Sequence, residues 1–423
     1  MKICLLTNTY LPHVGGVARS VSTFADEYER LGHEVLVVAP NLPGKVKARA
    51  EAKVERVAAV QNFNGSDFSV RLPLAAALSS RIDEFKADVI HAHHPFLLGD
   101  TALRLATNRS VPVIFTHHTR YEDYVHYVPF ASLALRRAAI QLSTEYANMC
   151  DGVIAPSASI ASLIKRRGVK VPVAVVPTGI DTQAFAAGNG AGFRRQFKIP
   201  SKAFVVGHVG RLAPEKNLPY LAKAVALFLK RQPQARFLVV GSGPSTETLR
   251  EECSRQGVAD QLVLAGSKTG RSLCDAYRAM DVFAFSSRSE TQGLVVTEAM
   301  AAGCPVVALR APGVRDVVRH CQNGYLLPDR TAPAAFARYL EKLATDRTKL
   351  AAFGKAAVAT AAEFSVTHCA ERALAFYEQI RRDTRHERLL SRQSTWRSLQ
   401  DRLGVEWNLL SRNARALSTA LAS

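Results

Sequence analysis

The stretch Ser287-Arg-Ser-Glu290-Thr-Gln-Gly293-Leu-Val-Val-Thr-Glu298-Ala-Met-Ala-Ala-Gly303-Cys-Pro305-Val-Val decides the fold of this chain. It follows an apolar run, 282–285, that is typical of a buried parallel strand. It then passes through a polar turn into an alanine-rich helix, predicted over 294–302 and ended by the glycine and proline that follow. This order predicts an open α/β sheet, in which ligands bind at the carboxyl ends of the strands.

Two carboxylates and a helix start carry the chemistry of this stretch. Gly293, Leu294 and Val295 begin the helix, and backbone N–H groups at a helix start bind phosphate. Glu290 and Glu298 would repel phosphate, but carboxylates accept hydrogen bonds from sugar hydroxyls. A nucleotide sugar has phosphates in its middle and a sugar at each end, so it satisfies both requirements. The alternative is that both glutamates are ordinary surface acids beside a turn.

The Glu-x7-Glu spacing of Glu290 and Glu298, with the serines and glycines around it, resembles the signature of retaining glycosyltransferases of family 4. That family has the two-domain GT-B architecture. The resemblance implies an α/β fold of two Rossmann-like domains with parallel sheets facing a central cleft. It also implies that Glu290 lies beside the transferred hexose and that Glu298 holds the ribose hydroxyls.

A second motif, Gly210-Arg211-Leu-Ala-Pro-Glu215-Lys216-Asn217, lies between a predicted strand and a predicted helix. Arg211 and Lys216 are expected at the same edge as Glu290, where two cations would neutralise the charge that develops as a sugar–phosphate bond breaks. The two motifs stand in the order found in the family. Since the sequence contains no Asp-x-Asp, the cation pair is expected to replace a metal ion, and no cofactor is expected.

The first strand-to-helix loop contains Gly15 and Gly16. Glycine lets backbone amides approach a phosphate closely, although a glycine pair after a strand is also common as a tight turn. The family uses this loop to approach the donor phosphate. The resemblance therefore implies that Gly15 and Gly16 bind the donor.

His118 follows a predicted strand over 113–116, and we expect it to contact the donor sugar or the acceptor. The resemblance favours His118 over His117 because Thr119 follows, as in relatives with a His-Thr pair. The alternative is a structural histidine that caps the strand. The neighbouring set, His91, His93 and His94, lacks accompanying Cys or Asp ligands, so a turn over the cleft is favoured over a metal cluster there.

An aromatic loop, Tyr121-Glu-Asp-Tyr-Val-His-Tyr-Val-Pro129, follows this histidine. Together with Glu290-Thr-Gln-Gly293 it resembles a narrower subgroup, the bacterial diacylglycerol α-glucosyltransferases and kindred glycolipid synthases. The resemblance implies UDP-glucose as donor and a lipid such as 1,2-diacylglycerol as acceptor. A soluble sugar or a lipopolysaccharide core remains an alternative acceptor.

The chain carries 55 lysines and arginines against 36 aspartates and glutamates, a net charge of +19. This excess favours an anionic partner, and since no nucleic-acid-binding module is recognisable, an anionic membrane surface is favoured over nucleic acid. Basic residues cluster over 44–56, at Arg136-Arg137 and over 165–167. With no predicted signal peptide or spanning helix, and with seven scattered cysteines, we expect a cytoplasmic protein attached peripherally to the inner face of the cytoplasmic membrane.

The predicted domains follow the alternation of strands and helices. Residues 1–183 form an N-terminal acceptor domain and 184–364 a C-terminal nucleotide-sugar domain, and a helix over 365–382 returns to the first domain. Residues 383–423 form a basic tail. The tail either packs as a helix against the body or faces lipid.

Two other function classes fit the sequence less well. An α-glucan phosphorylase would need a lysine that holds pyridoxal phosphate and a far longer chain, and neither is evident. A non-enzymatic, nucleotide-sensing protein at the membrane surface would be expected to lack the charged residues of a transferase, and all of them are present.

Overall fold

The computed structural model describes residues 1–13, 15–41, 53–57, 59–60, 70–71, 76–123, 133–390, 404–405, 407–409 and 411–412. The chain divides into two compact units. Unit 1 comprises Met1–Gly179 and Val366–Ser423, and unit 2 comprises Ile180–Ser365.

Unit 1 is built on a parallel sheet with the strand order β3-β2-β1-β6-β7-β8-β9. The strands of this unit are β1 (Lys2–Leu6), β2 (Glu34–Pro40), β3 (Val54–Val57), β4 (Ala59–Val60), β5 (Val70–Arg71), β6 (Val89–Ala92), β7 (Val113–Thr116), β8 (Gly152–Ala155) and β9 (Val173–Val175), of which β4 and β5 form a separate antiparallel pair. The order reverses between β1 and β6, which is the topological switch point where such sheets bind ligands.

Helices cover this sheet. They are α1 (Gly16–Arg30), α2 (Ala76–Phe85), α3 (Leu98–Arg109), α4 (Leu133–Met149) and α5 (Ala158–Arg166). Helix α1 buries Ala18, Val21, Ala25 and Tyr28, which recur every three or four residues and so form one apolar face. That face packs in the core cluster that includes Ile3 of β1.

Unit 2 repeats the plan with the strand order β12-β11-β10-β13-β14-β15, all parallel. Its strands are β10 (Val205–Val209), β11 (Arg236–Val240), β12 (Leu262–Gly266), β13 (Val282–Phe285), β14 (Val306–Leu309) and β15 (Gly324–Leu327). Its helices are α6 (Thr182–Ala186), α7 (Gly190–Gln196), α8 (Leu218–Arg231), α9 (Thr246–Arg255), α10 (Gly270–Arg278), α11 (Leu294–Ala301), α12 (Val314–Val317), α13 (Pro333–Thr345) and α14 (Arg347–Ala362). The switch point lies between β10 and β13.

The last long helix, α15 (Val366–Leu390), belongs to unit 1. It buries Cys369, Ala373, Phe376 and Ile380 along one face. Phe376 and Ile380 lie directly on β8, where a Cβ at Gly152 would come within 2.9 Å of the Phe376 ring. A side chain at this position of β8 would therefore displace the helix.

The described parts of the C-terminal tail also pack on unit 1. Leu409 is buried in the core cluster of β6 and β7, and Val405 packs against it. Arg412 is buried and donates to Asp100 Oδ1 (2.9 Å) and to the Pro95 carbonyl (3.0 Å), whereas Trp407 is 70% exposed. Of the two predicted alternatives for the tail, packing against the body is therefore observed for Val405, Leu409 and Arg412.

The seven cysteines carry free thiols, and Cys321 is the exposed one. Within the described ranges, no helix combines the length and the apolar composition needed to cross a bilayer.

Candidate functional site

The loops after β10 and β13 meet at the switch point of unit 2. β10 leads into Gly210 and Arg211, and β13 leads into the predicted Glu290 loop. The two strands are parallel neighbours, with Val206 opposite Val282 and Gly207 opposite Phe283. The pairing of these strands is what brings the two sequence motifs together.

Lys216 and Glu290 form an ion pair at this edge, with 2.6 Å between Nζ and Oε1. Their side chains are only 18% and 15% exposed. Burial raises the pKa of Glu290, but the Lys216 charge and the hydrogen bond that Lys216 donates outweigh it, so the net pKa is below the ordinary value. At neutral pH, Glu290 is therefore a carboxylate that shares its cation with any incoming anion.

Ser286 links the loop after β10 to the loop after β13 by hydrogen bonds. Its hydroxyl is buried and lies 3.1 Å from the carbonyl oxygens of both Lys216 and Asn217. The Asn217 amide donates back to the Ser286 carbonyl at 3.3 Å. Asn217 has φ of 55°, a left-handed conformation that asparagine tolerates. Neither residue was predicted as a site residue, although Asn217 ends one quoted motif and Ser286 directly precedes the other.

Arg211 is more accessible than Lys216. Its guanidinium pairs with Glu215, and its side chain is 51% exposed whereas that of Glu215 is 6% exposed. Burial raises the pKa of Glu215, but hydrogen bonds and the Arg211 charge lower it overall. The edge thus presents one exposed cation and one largely covered cation.

Gly293 precedes α11 with φ of 76°, a conformation that favours glycine. Leu294 and Val295 are the first helical residues, so their N–H groups lie in the first turn, where a helix attracts anions. The loop packs against the turn before α12, where a Cβ at Gly313 would lie 2.6 Å from the Gln292 nitrogen. The predicted helix start is confirmed.

Glu298 lies in the middle of α11 and is fully buried. The Tyr277 hydroxyl donates to its Oε2 at 2.7 Å. The structure therefore buries the Glu298 side chain and holds it by a tyrosine of α10, so the alternative of an ordinary surface acid is wrong for Glu298. Tyr277 was not predicted, because nothing near it in the sequence shows that α10 faces α11.

His208 was also missed, and its signal was a histidine inside an otherwise apolar strand. Nδ1 of His208 donates to the Ala284 carbonyl at 3.2 Å. Burial lowers the pKa of His208 to about 4. It is thus a neutral imidazole beneath the ion pair at this edge.

The corresponding edge of unit 1 contains Gly15 and Gly16. Gly15 precedes α1 with extended backbone (φ of −155°), which any residue adopts. Gly16 is exposed, and a Cβ there would meet nothing within 4 Å. Neither packing nor backbone conformation in the described part of the chain requires glycine at position 16.

His118 lies at the end of β7 and contacts His93 at the end of β6. The distance between His93 Nδ1 and His118 Nε2 is 2.8 Å. Burial lowers the pKa of both rings well below the ordinary value, so both are neutral at pH 7. His91 and His94 are likewise buried, and each has its pKa lowered to about 3.

The prediction that His91, His93 and His94 lie in a turn is wrong for His91. His91 is inside β6, and its Nε2 lies 2.6 Å from Thr116 Oγ1 while its Nδ1 lies 2.6 Å from the Tyr377 hydroxyl of α15. His94 Nδ1 accepts a hydrogen bond from the Asn8 backbone at 3.1 Å. Among the residues that the structure describes, no group of three or more His, Cys, Asp or Glu side chains is arranged to hold a metal ion.

The root of the aromatic loop is held by ion pairs. Glu122 is buried and bonds to Arg167 at 2.6 Å, and Arg136 donates to the Glu122 carbonyl at 3.0 Å. Arg136 and Arg167, which belong to the predicted membrane-facing basic set, thus also have partners within unit 1, and the Arg136 side chain is 49% exposed. The rest of the loop, 124–132, lies outside the described residues, as do residues 42–52 of the first basic cluster.

Comparison with known proteins identifies relatives across most of the chain. The family profile of Glycosyltransferase Family 4 matches residues 14–184, and that of Glycosyl transferases group 1 matches residues 191–360. The chain is 31% identical over 338 residues to the alpha-monoglucosyldiacylglycerol synthase of Streptococcus pneumoniae, covering 77% of this chain and 75% of that protein. It is also 31% identical to the GDP-mannose-dependent alpha-mannosyltransferase of Mycobacterium tuberculosis, covering 78% and 84%.

Solved structures share the fold. HepE of Anabaena in complex with UDP-glucose matches with a TM-score of 0.70 at 22% identity, covering 90% of this chain and 100% of that chain. Sucrose-phosphate synthase of Thermosynechococcus elongatus matches with a TM-score of 0.72 at 21% identity, covering 90% and 98%. The predicted fold class is confirmed, since both parallel sheets and their neighbours are those of GT-B proteins. By its sequence relatives, the chain belongs to the family 4 glycosyltransferases and is a hexosyltransferase.

Proposed function

We propose that this enzyme is a retaining, metal-independent transferase that moves glucose from UDP-glucose to a lipid hydroxyl, with 1,2-diacylglycerol as the acceptor. The observation that carries the proposal is the pairing of Lys216 with Glu290 at 2.6 Å beside the start of α11. A cation that binds diphosphate and a carboxylate that binds hydroxyls belong side by side where a sugar is joined to a diphosphate.

Each charged residue has a role in this scheme. Arg211 and Lys216 stabilise the diphosphate, helped by the N–H groups of the first turn of α11, and Glu290 orients the hexose. In the same scheme His118 contacts the hexose and Glu298 fixes the ribose. The two cations already supply positive charge at the place where negative charge develops on the diphosphate. A divalent metal ion is therefore not required.

The reaction balances without an enzymic nucleophile. The bond between C1 of the hexose and the β-phosphate oxygen breaks while the acceptor oxygen bonds to C1 from the same face. The acceptor proton passes to the departing phosphate oxygen, which gives a nucleoside diphosphate and an α-glycoside. Retention of the anomeric configuration follows from attack on that face.

The donor has two candidates. UDP-glucose follows from the glycolipid-synthase resemblance and the name of the Streptococcus pneumoniae relative. GDP-mannose follows from the mycobacterial relative, which is equally similar. The deciding experiment incubates purified enzyme with labelled UDP-glucose, UDP-galactose or GDP-mannose, each with dioleoylglycerol vesicles or with soluble sugars. We expect label from UDP-glucose in the lipid phase, and label confined to soluble sugars would overturn the lipid acceptor.

Metal independence has its own test. Activity should survive exhaustive EDTA treatment, because Arg211 and Lys216 supply the charge on the diphosphate. Loss of activity that Mn²⁺ restores would contradict the proposal.

We further propose that the protein binds reversibly to anionic membrane through unit 1. The net charge of +19 supports this, as do the exposed apolar side chains of Leu133 and Trp407 in this unit, which are 73% and 70% exposed. Each cation near an anionic surface contributes about 1 kcal/mol, and the attraction is screened within roughly 10 Å at 0.1 M salt.

Vesicle sedimentation tests this attachment. Binding should be stronger to phosphatidylglycerol than to phosphatidylcholine vesicles, weaken at high salt, and fall in Trp407→Ala. The matched control is Val358→Ala in unit 2, where the side chain is 45% exposed. Equal and negligible binding to both vesicle types at low salt would contradict the attachment.

A further inference from the structure

His118 is held in place by a buried stack of imidazole rings. The His93 ring lies between two others, with centroid distances of 4.1 Å to His91 and 5.1 Å to His118. His91 is fixed in turn by Thr116 and by Tyr377, each at 2.6 Å. The Tyr377 hydroxyl lies 3.1 Å from that of Tyr28 in α1. The orientation of His93 is therefore set by strands and helices rather than by a loop.

Nδ1 of His93 and Nε2 of His118 share one hydrogen bond, so only one of these two nitrogens carries a proton. Both rings are neutral at pH 7, so each has one N–H and one lone pair. At 2.8 Å, one of the two facing nitrogens must donate and the other accept. Which ring donates decides the tautomer of both.

The second nitrogen of His93 decides between the two arrangements. Nε2 of His93 is buried and has no hydrogen-bond partner in the described part of the chain. If His118 donated, His93 would carry its proton on Nε2, which would be a buried N–H group without an acceptor. Orphaned buried N–H groups are rarer than under-satisfied acceptors. The less costly arrangement puts the proton on Nδ1 of His93.

A small cavity of about 10 Å³ adjoins the stack and is lined by His91, His93, His118 and the Ser20 and Thr178 side chains, among others. This volume is about that of one water molecule. A water there would pair with His93 Nε2 in either tautomer, because water both donates and accepts, so the preference for a proton on Nδ1 comes from the described side chains alone.

We propose that His93 is the positioning residue for His118: it donates from Nδ1 to Nε2 of His118 and so fixes the His118 proton on Nδ1. His118 then acts on the hexose as a neutral hydrogen-bond donor through Nδ1. This inference rests on the proposed contact between His118 and the hexose. His93 and His118 would thus act through hydrogen bonds and not as metal ligands.

Kinetics of matched variants test the proposal. His93→Asn retains a donor near the position of Nδ1, whereas His93→Leu removes it. We expect His93→Leu to lower kcat by about tenfold or more, as is common when the partner that orients a functional histidine is lost. KM for UDP-glucose should change little, and His93→Asn should recover most of kcat. The control is His33→Leu, since His33 lies before β2 at the opposite edge of the same sheet.

The outcomes separate this inference from the proposed function. If His118→Ala retains full activity, the role of His118 in transfer is wrong. If His118→Ala is inactive but His93→Leu has wild-type kcat, only the positioning role is wrong. Equal losses in His93→Asn and His93→Leu would show that the ring packs but does not donate, which would also overturn it.

Nuclear magnetic resonance of the wild-type protein gives a readout independent of activity. With ¹⁵N-labelled histidine, the His118 ring, assigned by its loss in His118→Ala, should be protonated at Nδ1 and unprotonated at Nε2. A His118 proton on Nε2 would contradict the proposal even if every variant were less active.

Discussion

The two switch-point edges of this enzyme are built from opposite chemistry. In unit 2 the edge carries full charges, Lys216 beside Glu290 and Arg211 beside Glu215. In unit 1 the corresponding edge carries neutral imidazoles, among them His93 and His118. The same strand order thus supports a charged edge and an uncharged hydrogen-bonding edge, and the difference arises from the side chains that follow each strand.

The different chemistry of the two edges suits two different parts of the proposed donor, the diphosphate and the hexose. A diphosphate carries charge that develops further as the glycosidic bond breaks, so its edge needs preorganised cations. A hexose hydroxyl carries no charge, so neutral donors and acceptors suffice there. We expect charge-removing changes to be most damaging in unit 2 and proton-position changes to be most damaging in unit 1.

The largest expected effect comes from removing the cations. Arg211→Ala and Lys216→Ala should each lower turnover on the order of 10²-fold or more, as the loss of one preorganised charge-stabilising donor does. The control is Arg231→Ala, because Arg231 also pairs with a glutamate in unit 2, but on the surface of α8. Wild-type turnover in either variant would remove the assignment of the diphosphate edge.

The two cations should differ in their effect on stability. Arg211 is 51% exposed, so its removal should leave the free energy of unfolding nearly unchanged. Lys216 is largely covered, and its loss leaves the Glu290 carboxylate without its counter-charge. Lys216→Ala should therefore lower the free energy of unfolding by about 1–3 kcal/mol, measured by urea titration.

Replacing the two glutamates should separate their roles. Glu290→Gln should lower kcat on the order of tenfold, because its charge balances Lys216 and, in the proposed scheme, orients the hexose. Glu298→Gln should chiefly raise KM for the donor, while its amide oxygen still accepts from Tyr277 and preserves the fold. Tyr277→Phe distinguishes the hydrogen bond from the carboxylate itself. A kcat defect in Glu298→Gln with unchanged KM would reverse the assignment.

Acid should weaken unit 1 before unit 2. Burial lowers the pKa of His91 and His94 to about 3 and of His117 to about 4, whereas unfolded histidine titrates near 6.5. Between these values the unfolded chain binds more protons, so the stability contribution is complete above pH 6.5 and falls below it. Each such histidine costs about 1.4 kcal/mol per pH unit. Unit 2 contains His208 as its buried counterpart, with a pKa of about 4.

The ion pair of unit 2 responds in a lower pH range. The folded pKa of Glu290 is depressed, so its contribution is present above the ordinary carboxylate value of 4.5 and is lost only as pH falls below it. Hydrogen exchange at pH 7 and pH 5.5, corrected for intrinsic rates, should show protection lost first in β6 and β7. Equal loss in β10 and β13 would contradict the comparison.

The smallest expected effect is that of Gly16→Ala. A Cβ fits at position 16 without contact, so stability should stay equal or rise by up to about 1 kcal/mol. If the backbone there approaches the donor phosphate, KM for UDP-glucose should rise a few-fold while the melting temperature does not fall. An unchanged KM would remove Gly16 from the donor site.

Much of the fold was predictable because strand ends are marked by glycine and polar residues. The strands at 113–116 and 282–285 have the predicted bounds, and the predicted helix over 294–302 is α11 within one residue. β15 was missed, since Gly-Tyr-Leu-Leu is too short an apolar run to distinguish from a loop. The predicted end of α15 at residue 382 was too early, because arginines continue a helix as readily as they end one.

The site was less predictable, because pairing depends on contacts between distant segments. The sequence allowed the Glu290 and Lys216 motifs to be placed at one edge of the sheet. It did not show that the two side chains form an ion pair or that Ser286 bridges their loops. Tyr277 bonds to Glu298 on the next helix, and Tyr377 bonds to His91, 286 residues earlier in the chain. Hydrogen bonds such as these leave no periodic signal, whereas burial does.

Calorimetric titration with UDP, repeated with GDP, tests the division between the two edges most directly. Wild-type enzyme should bind the diphosphate that matches its donor without added metal. Lys216→Ala should lose most of this affinity and His118→Ala should retain it, because we propose that the diphosphate contacts unit 2 and that His118 contacts the hexose. Unchanged affinity in Lys216→Ala, or equal loss in His118→Ala, would contradict the account.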